Sequence, residues 1–162
     1  ALATVGDAGR VEGAANDVGK IAEQTTPIFQ WHVASQGAAA RSTLESHLSE
    51  TKQQVKRLEQ IFQGLGEKVQ GVTCAAMDGI LDEAKDVMSD IGDPNVLDAG
   101  MLSAAQAVEH YEITRYGTLI AFAKRLGRSD CVKLLEETLA EEKEADRKLT
   151  AIAESQVNKK AA

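Results

Sequence analysis

Along residues 38–65, apolar side chains return every three or four positions. Leu44, Leu48, Val55, Leu58, Ile61 and Phe62 share one stripe with His47 and Thr51. That period is helical, and Glu45, Ser49, Lys52, Lys56 and Glu59 fall largely outside the stripe. The spacing predicts a long amphipathic helix that Gly64 and Gly66 bring to an end. Residues 66–72 read as a loop. A shorter helix is expected over 74–91, with Met77, Ile80, Leu81, Ala84 and Met88 inward. Its acids, Asp78, Asp82, Glu83 and Asp86, make a solvated face. Asp93-Pro94 suits a helix start and predicts a third helix over 95–126, closed by Gly127. A fourth is expected over 129–155, capped by Ser129 with Asp130 in its first turn. Its stripe is Val132, Leu135, Thr138, Leu139, Glu142, Ala145, Asp146, Leu149 and Ile152, with Glu136, Glu137, Glu141 and Glu144 mostly towards solvent. After Ser155 the tail should fray.

The first 36 residues are less regular. Val11, Ala14, Ala15, Val18, Ile21 and Ala22 predict a helix over about 5–25. Gly6, Gly9, Gly13 and Gly19 oppose it, each by up to about 1 kcal/mol. Pro27 ends it, and Phe29, Trp31 and Val33 suit the end of a core, with His32 a packing or surface residue. Four long helices and one short one, joined by short connections, predict an all-α antiparallel four-helix bundle within a single domain. The short helix lies between the two helix pairs, beside or across the bundle.

Composition agrees with this reading. The 162 residues hold two prolines and few aromatics, which favours helix over sheet. A formal charge of −7 argues against an extended nucleic-acid surface, so no nucleic-acid partner is expected. No apolar run approaches the roughly 20 residues that span a bilayer, so no membrane partner is expected either. The opening Ala-Leu-Ala-Thr-Val-Gly-Asp lacks a basic region followed by an apolar one, and a cytoplasmic location is expected. Cys74 and Cys131 are far apart, in no metal-ligand spacing, and read as small buried or half-buried thiols of a reducing cytosol, with a disulfide or redox pair as the alternative.

The chemistry lies where acids interrupt the apolar stripes. In the third helix the stripe runs Met101, Leu102, Ala105, Glu109, Glu112, Tyr116, Leu119, Ile120 and Ala123. Glu109 and Glu112 are one turn apart on one face. Glu142 and Asp146 occupy the stripe of the last helix, and Glu50 borders that of the 38–65 helix, one turn after His47. Buried carboxylates need a cation, a partner or a proton. Carboxylate oxygens with an imidazole suit iron or manganese. Di-metal bundles use Glu-x-x-His, whereas this chain has the reversed His47-x-x-Glu50 and Glu109-x-x-Glu112. Two readings therefore stay open. One is a dinuclear metal site. The other is a set of acids satisfied by Tyr, Thr, Arg, His and water, or placed at a subunit interface.

Several stretches resemble the YciE/YciF family of bacterial ferritin-like proteins. They are Glu45-Ser-His-Leu-Ser-Glu-Thr51, Arg57-Leu-Glu-Gln60, Cys74-Ala-Ala-Met-Asp-Gly79, Ala107-Val-Glu-His-Tyr-Glu-Ile113 and Leu134-Leu-Glu-Glu-Thr-Leu-Ala-Glu-Glu-Lys143. The resemblance runs from about Leu44 to the C-terminus. It implies a ferritin-like bundle, a homodimer and a part in bacterial stress responses. The Glu109-x-x-Glu112 pair with a following Tyr116 also resembles the third helix of rubrerythrin-like di-iron proteins. By that resemblance Glu50, Glu109, Glu112 and Glu142 would hold two iron or manganese ions, with Asp146 or His47 completing or supporting the shell. Metal oxidation or peroxide handling would follow, with Tyr116 as a hydrogen-bond donor or redox neighbour. The alternative is a metal-free bundle that acts through dimerisation or partner binding. The chain departs from the family pattern in its first helix. Ile21 stands where the family carries a Glu, and the nearest acid, Glu23, is turned well away.

Overall fold

Gly66 and Gly127 are the two described residues with backbone in the left-handed region, at φ +74° and +68°, and each ends a long helix. Only glycine enters that region without a side-chain clash, so the two stops predicted at these positions have a physical basis. The computed structural model describes residues 38–69, 71 and 73–162. The helix expected over about 5–25 lies outside them. Four helices follow in order: α1 (Ala38–Leu65), α2 (Ala75–Asp90), α3 (Pro94–Arg125) and α4 (Ser129–Ile152). A π-helical turn (Ala153–Val157) and a last short helix, α5 (Asn158–Ala161), complete the chain.

Asp93 caps α3 as expected: its side chain accepts hydrogen bonds from the backbone N–H of Asn95 and Val96, with Pro94 in the first turn. Two expectations are corrected. Ser129 is the first helical residue of α4 rather than its cap. Arg128 holds the cap position without a side-chain cap bond, and its guanidinium instead binds Asp130 and the carbonyl of Gly64. The tail does not fray after Ser155. A π-helical turn shifts the helical register there and turns Val157 into the core.

Cross-helix contacts fix the directions. His47 meets Glu142 and Arg57 meets Thr138, so α1 and α4 run antiparallel. Gln106 meets Thr150 and Lys124 meets Glu136, so α3 and α4 do too. The backbone of α4 packs against both α1 and α3, whereas α2 packs on α3. The short helix thus lies beside the bundle. The core is built from the predicted stripes: Leu44, Leu58 and Ile61 of α1, Met77 and Leu81 of α2, Met101, Leu102, Tyr116 and Leu119 of α3, Leu135 and Leu149 of α4. Cys74 and Cys131 are buried free thiols, as expected. No helix among the described residues is long and apolar enough to cross a membrane.

Candidate metal centre

Among the described residues, seven polar or charged ones are buried with these apolar side chains: His47, Thr51, Gln54, Glu109, Glu112, Thr138 and Glu142. All but Gln54, which borders the stripe of α1, stand on an inward stripe, so helical periodicity carries them into the core. His47 comes from α1, Glu109 from α3 and Glu142 from α4. His47 Nε2 lies 3.3 Å from Glu109 Oε2 and 3.3 Å from Glu142 Oε2. These three residues offer ligand atoms all within 4.8 Å of one another. On the other side of the ring, His47 Nδ1 lies 3.1 Å from Glu50 Oε2.

Glu109 Oε2 and both carboxylate oxygens of Glu142 are buried with no hydrogen-bond partner. Their contact with His47 is one of distance and charge. Buried oxygens left in that condition are costly, and a bound cation is the ligand that would satisfy all three. Without a cation, protons do the work. Burial disfavours the charged imidazole, but Glu109 and Glu142 outweigh it and raise His47 to about 12. Burial pushes Glu109 up to about 8, with Glu142 adding to the shift and His47 opposing it. Burial also lifts Glu112 well above the usual carboxylate range, helped by Glu142 and Glu109. Burial opposes the charge of Glu142 as well, yet His47 prevails and holds its carboxyl below the ordinary value. At neutral pH the interior therefore holds one ion pair, His47 with Glu142, beside a protonated Glu109, and burial favours the neutral form of Glu112 as well. Tyr116 keeps its proton for the same reason, burial first and Glu112 second.

The structure does not gather every acid singled out in the sequence. Glu112 is buried one turn from Glu109, next to Glu142 in charge terms, but outside the three-residue group. Among the described residues Glu50 meets the cluster at His47 Nδ1, and its side chain is 33% exposed. Asp146 is directed elsewhere: its Oδ1 accepts from Gln106 Nε2 at 3.0 Å and lies 3.1 Å from His110 Nε2. It belongs to the seam between α3 and α4, because its position on the stripe is an edge rather than the centre.

A neighbouring network went unnoticed in the sequence. Both terminal nitrogens of Arg57 donate to Glu141, at 2.6 Å each, and one also donates to Thr138 at 3.3 Å. Buried Gln54 donates to the same Glu141 at 3.2 Å. Glu141 was expected to face solvent, and instead locks α1 to α4. The signal was present in part: Gln54 and Arg57 follow Glu50 at helical spacing. The donor set of the cluster, two carboxylates and an imidazole with a third buried carboxylate beside them, fits iron or manganese.

The comparisons with known proteins agree with this architecture. A family model described as a domain of unknown function, DUF892, matches residues 22–162. Protein YciF of Escherichia coli (strain K12) is 45% identical over 117 residues, covering 72% of this chain and 70% of that protein. The crystal structure of the E. coli stress protein YciF matches with a TM-score of 0.88 and 35% identity, over 98% of this chain and 99% of the other. YcfI of Rhodopseudomonas palustris, described as a candidate structural protein, matches with a TM-score of 0.87 and 41% identity, over 94% and 96% of the two chains. A Xanthomonas campestris protein, 19% identical with a TM-score of 0.75 over 93% of each chain, shares the fold. Family, relatives and helix order coincide: this chain is a ferritin-like helical bundle and belongs to the DUF892 family, the family of YciF.

Proposed function

We propose that this chain is a ferritin-like stress protein that holds iron or manganese at His47, Glu109 and Glu142. The observation that carries the reading is the set of three buried carboxylate oxygens without a hydrogen bond, two of them 3.3 Å from one imidazole nitrogen. Glu112, buried beside them, widens the site towards a second ion per chain. Iron or manganese, when bound, supplies one-electron chemistry towards oxygen species, so the activity is metal oxidation or peroxide handling. The protein's own part is to exclude water and to exchange protons. To serve as ligands, Glu109 and Glu112 would give up any proton they hold, and His47 would give up the proton on Nε2. Tyr116 stays protonated and lines the same interior. The protein acts as a cytoplasmic homodimer in this reading.

A second reading is favoured by the charge pattern without metal. His47 and Glu142 neutralise each other, and protonation silences Glu109. The bundle would then act through dimerisation or partner binding, in line with the description of YcfI as a candidate structural protein. Metal content per chain, measured by plasma mass spectrometry after loading with iron and with manganese, separates the two. The first reading predicts retained metal that Glu109→Gln and Glu142→Gln each abolish. Wild-type protein that retains neither metal under any loading condition leaves the second reading standing.

A further inference from the structure

Glu50 was expected among the ligands, yet it stands on the wrong side of the imidazole for that role. The two nitrogens of His47 face different groups. Nε2 looks into the bundle at Glu109 and Glu142, and Nδ1 looks along α1 at Glu50, three residues on. A cation shared by Nε2, Glu109 and Glu142 would have the imidazole ring between itself and the Glu50 carboxylate. Exposure separates the acids in the same way. The side chains of Glu109 and Glu142 are 2% and 0% exposed, against 33% for Glu50. Glu50 therefore keeps its hydration, whereas the other two have lost theirs.

A neutral imidazole carries its single proton on either nitrogen, and only the bare one can bind a metal. An acceptor fixed at Nδ1 keeps the proton there and leaves the lone pair on Nε2. Carboxylates beside metal-bound histidines commonly do this. The hydroxyl of Thr51 is engaged with the carbonyl of His47 at 2.9 Å, which braces the same turn of helix. The reversed order His47-x-x-Glu50, which set this chain apart from Glu-x-x-His bundles, then has a geometric meaning. It puts the histidine inward and its acid outward.

We propose that Glu50 is a positioning residue of the metal centre rather than a ligand: its carboxylate fixes the ring and the tautomer of His47 so that Nε2 faces Glu109 and Glu142. This rests on the reading of that cluster as a metal site.

Cobalt(II) titration of the full chain, followed by visible absorption and by equilibrium dialysis, tests both separately. Wild type, Glu50→Gln and Glu50→Ala are compared, with Glu142→Gln as the ligand control. Glu50→Ala is expected to weaken cobalt binding by about 10–100-fold while keeping the wild-type stoichiometry and the shape of the visible bands. Glu50→Gln keeps a neutral acceptor at Nδ1 and is expected to recover most of the affinity. Glu142→Gln should change both stoichiometry and bands. Loss of a cobalt ion or an altered spectrum in both Glu50 variants would overturn the assignment and make Glu50 a ligand. If cobalt fails to bind wild type, and iron and manganese fail as well, the underlying metal reading falls and the positioning role with it.

Discussion

His47 and Glu142 show what a single residue can be made to do by its surroundings. An imidazole that usually titrates near neutrality is driven to about 12 because two carboxylates face it in a buried place. Glu109 moves in the same direction, up to about 8, but in an acid that shift favours the neutral form. The linkage follows from the directions. Below 4.5 both the folded and unfolded forms keep the Glu109 proton; between 4.5 and about 8 only the folded form does. Its contribution to stability is full below 4.5 and is lost as pH rises to about 8. His47 adds a loss that begins above 6.5 and runs towards 12. Glu142, held low, contributes in the other sense and is lost only on the acid side. Metal-free protein should therefore lose thermal stability steadily from about pH 5 to about pH 8. Metal-loaded protein should show the opposite trend in metal affinity, because its ligands bind without protons. Thermal melts at several pH values, with and without chelator, check this. A flat or rising metal-free profile would contradict the assigned protonation states.

At the scale of the helix, much was legible. The stripes of α1, α3 and α4 placed Glu109, Glu112 and Glu142 inside because periodicity alone decides which face is buried. The Asp93 cap and the glycine stops were also readable, since capping is local chemistry. What could not be read was which helix faces which. That decides why Glu141 pairs with Arg57 instead of solvent, and why Asp146 turns to Gln106 and His110. The π-helical turn that buries Val157 is likewise a tertiary effect, as the tail alone carries no stripe strong enough to announce it. The Arg57–Glu141 fork ties α1 to α4, from the residue next to Glu142 to a point almost three turns along α1 from His47. Both side chains are mostly shielded, at 20% and 25% exposed. Removing the fork with Arg57→Ala should cost about 1–2 kcal/mol in urea unfolding of metal-free protein, and Arg57→Lys should cost less, because it keeps the charge but not the paired geometry. Equal losses in the two variants would mean that geometry contributes nothing.

The whole molecule brings three helices to one point. α4 packs between α1 and α3, so His47 and Glu109 approach through side chains across the bundle interior rather than backbone to backbone. Helix pairs built this way leave a space at the centre that side chains from several elements can share. Family membership and the match to YciF account for the fold. In the proposed reading, the cluster of one imidazole and two carboxylates carries the chemistry. The most direct test is anomalous diffraction at the manganese edge from crystals grown with manganese. The account predicts a peak between His47 Nε2 and the carboxylates of Glu109 and Glu142, with Glu50 still on Nδ1. An anomalous map with no peak there, at saturating manganese, would contradict it.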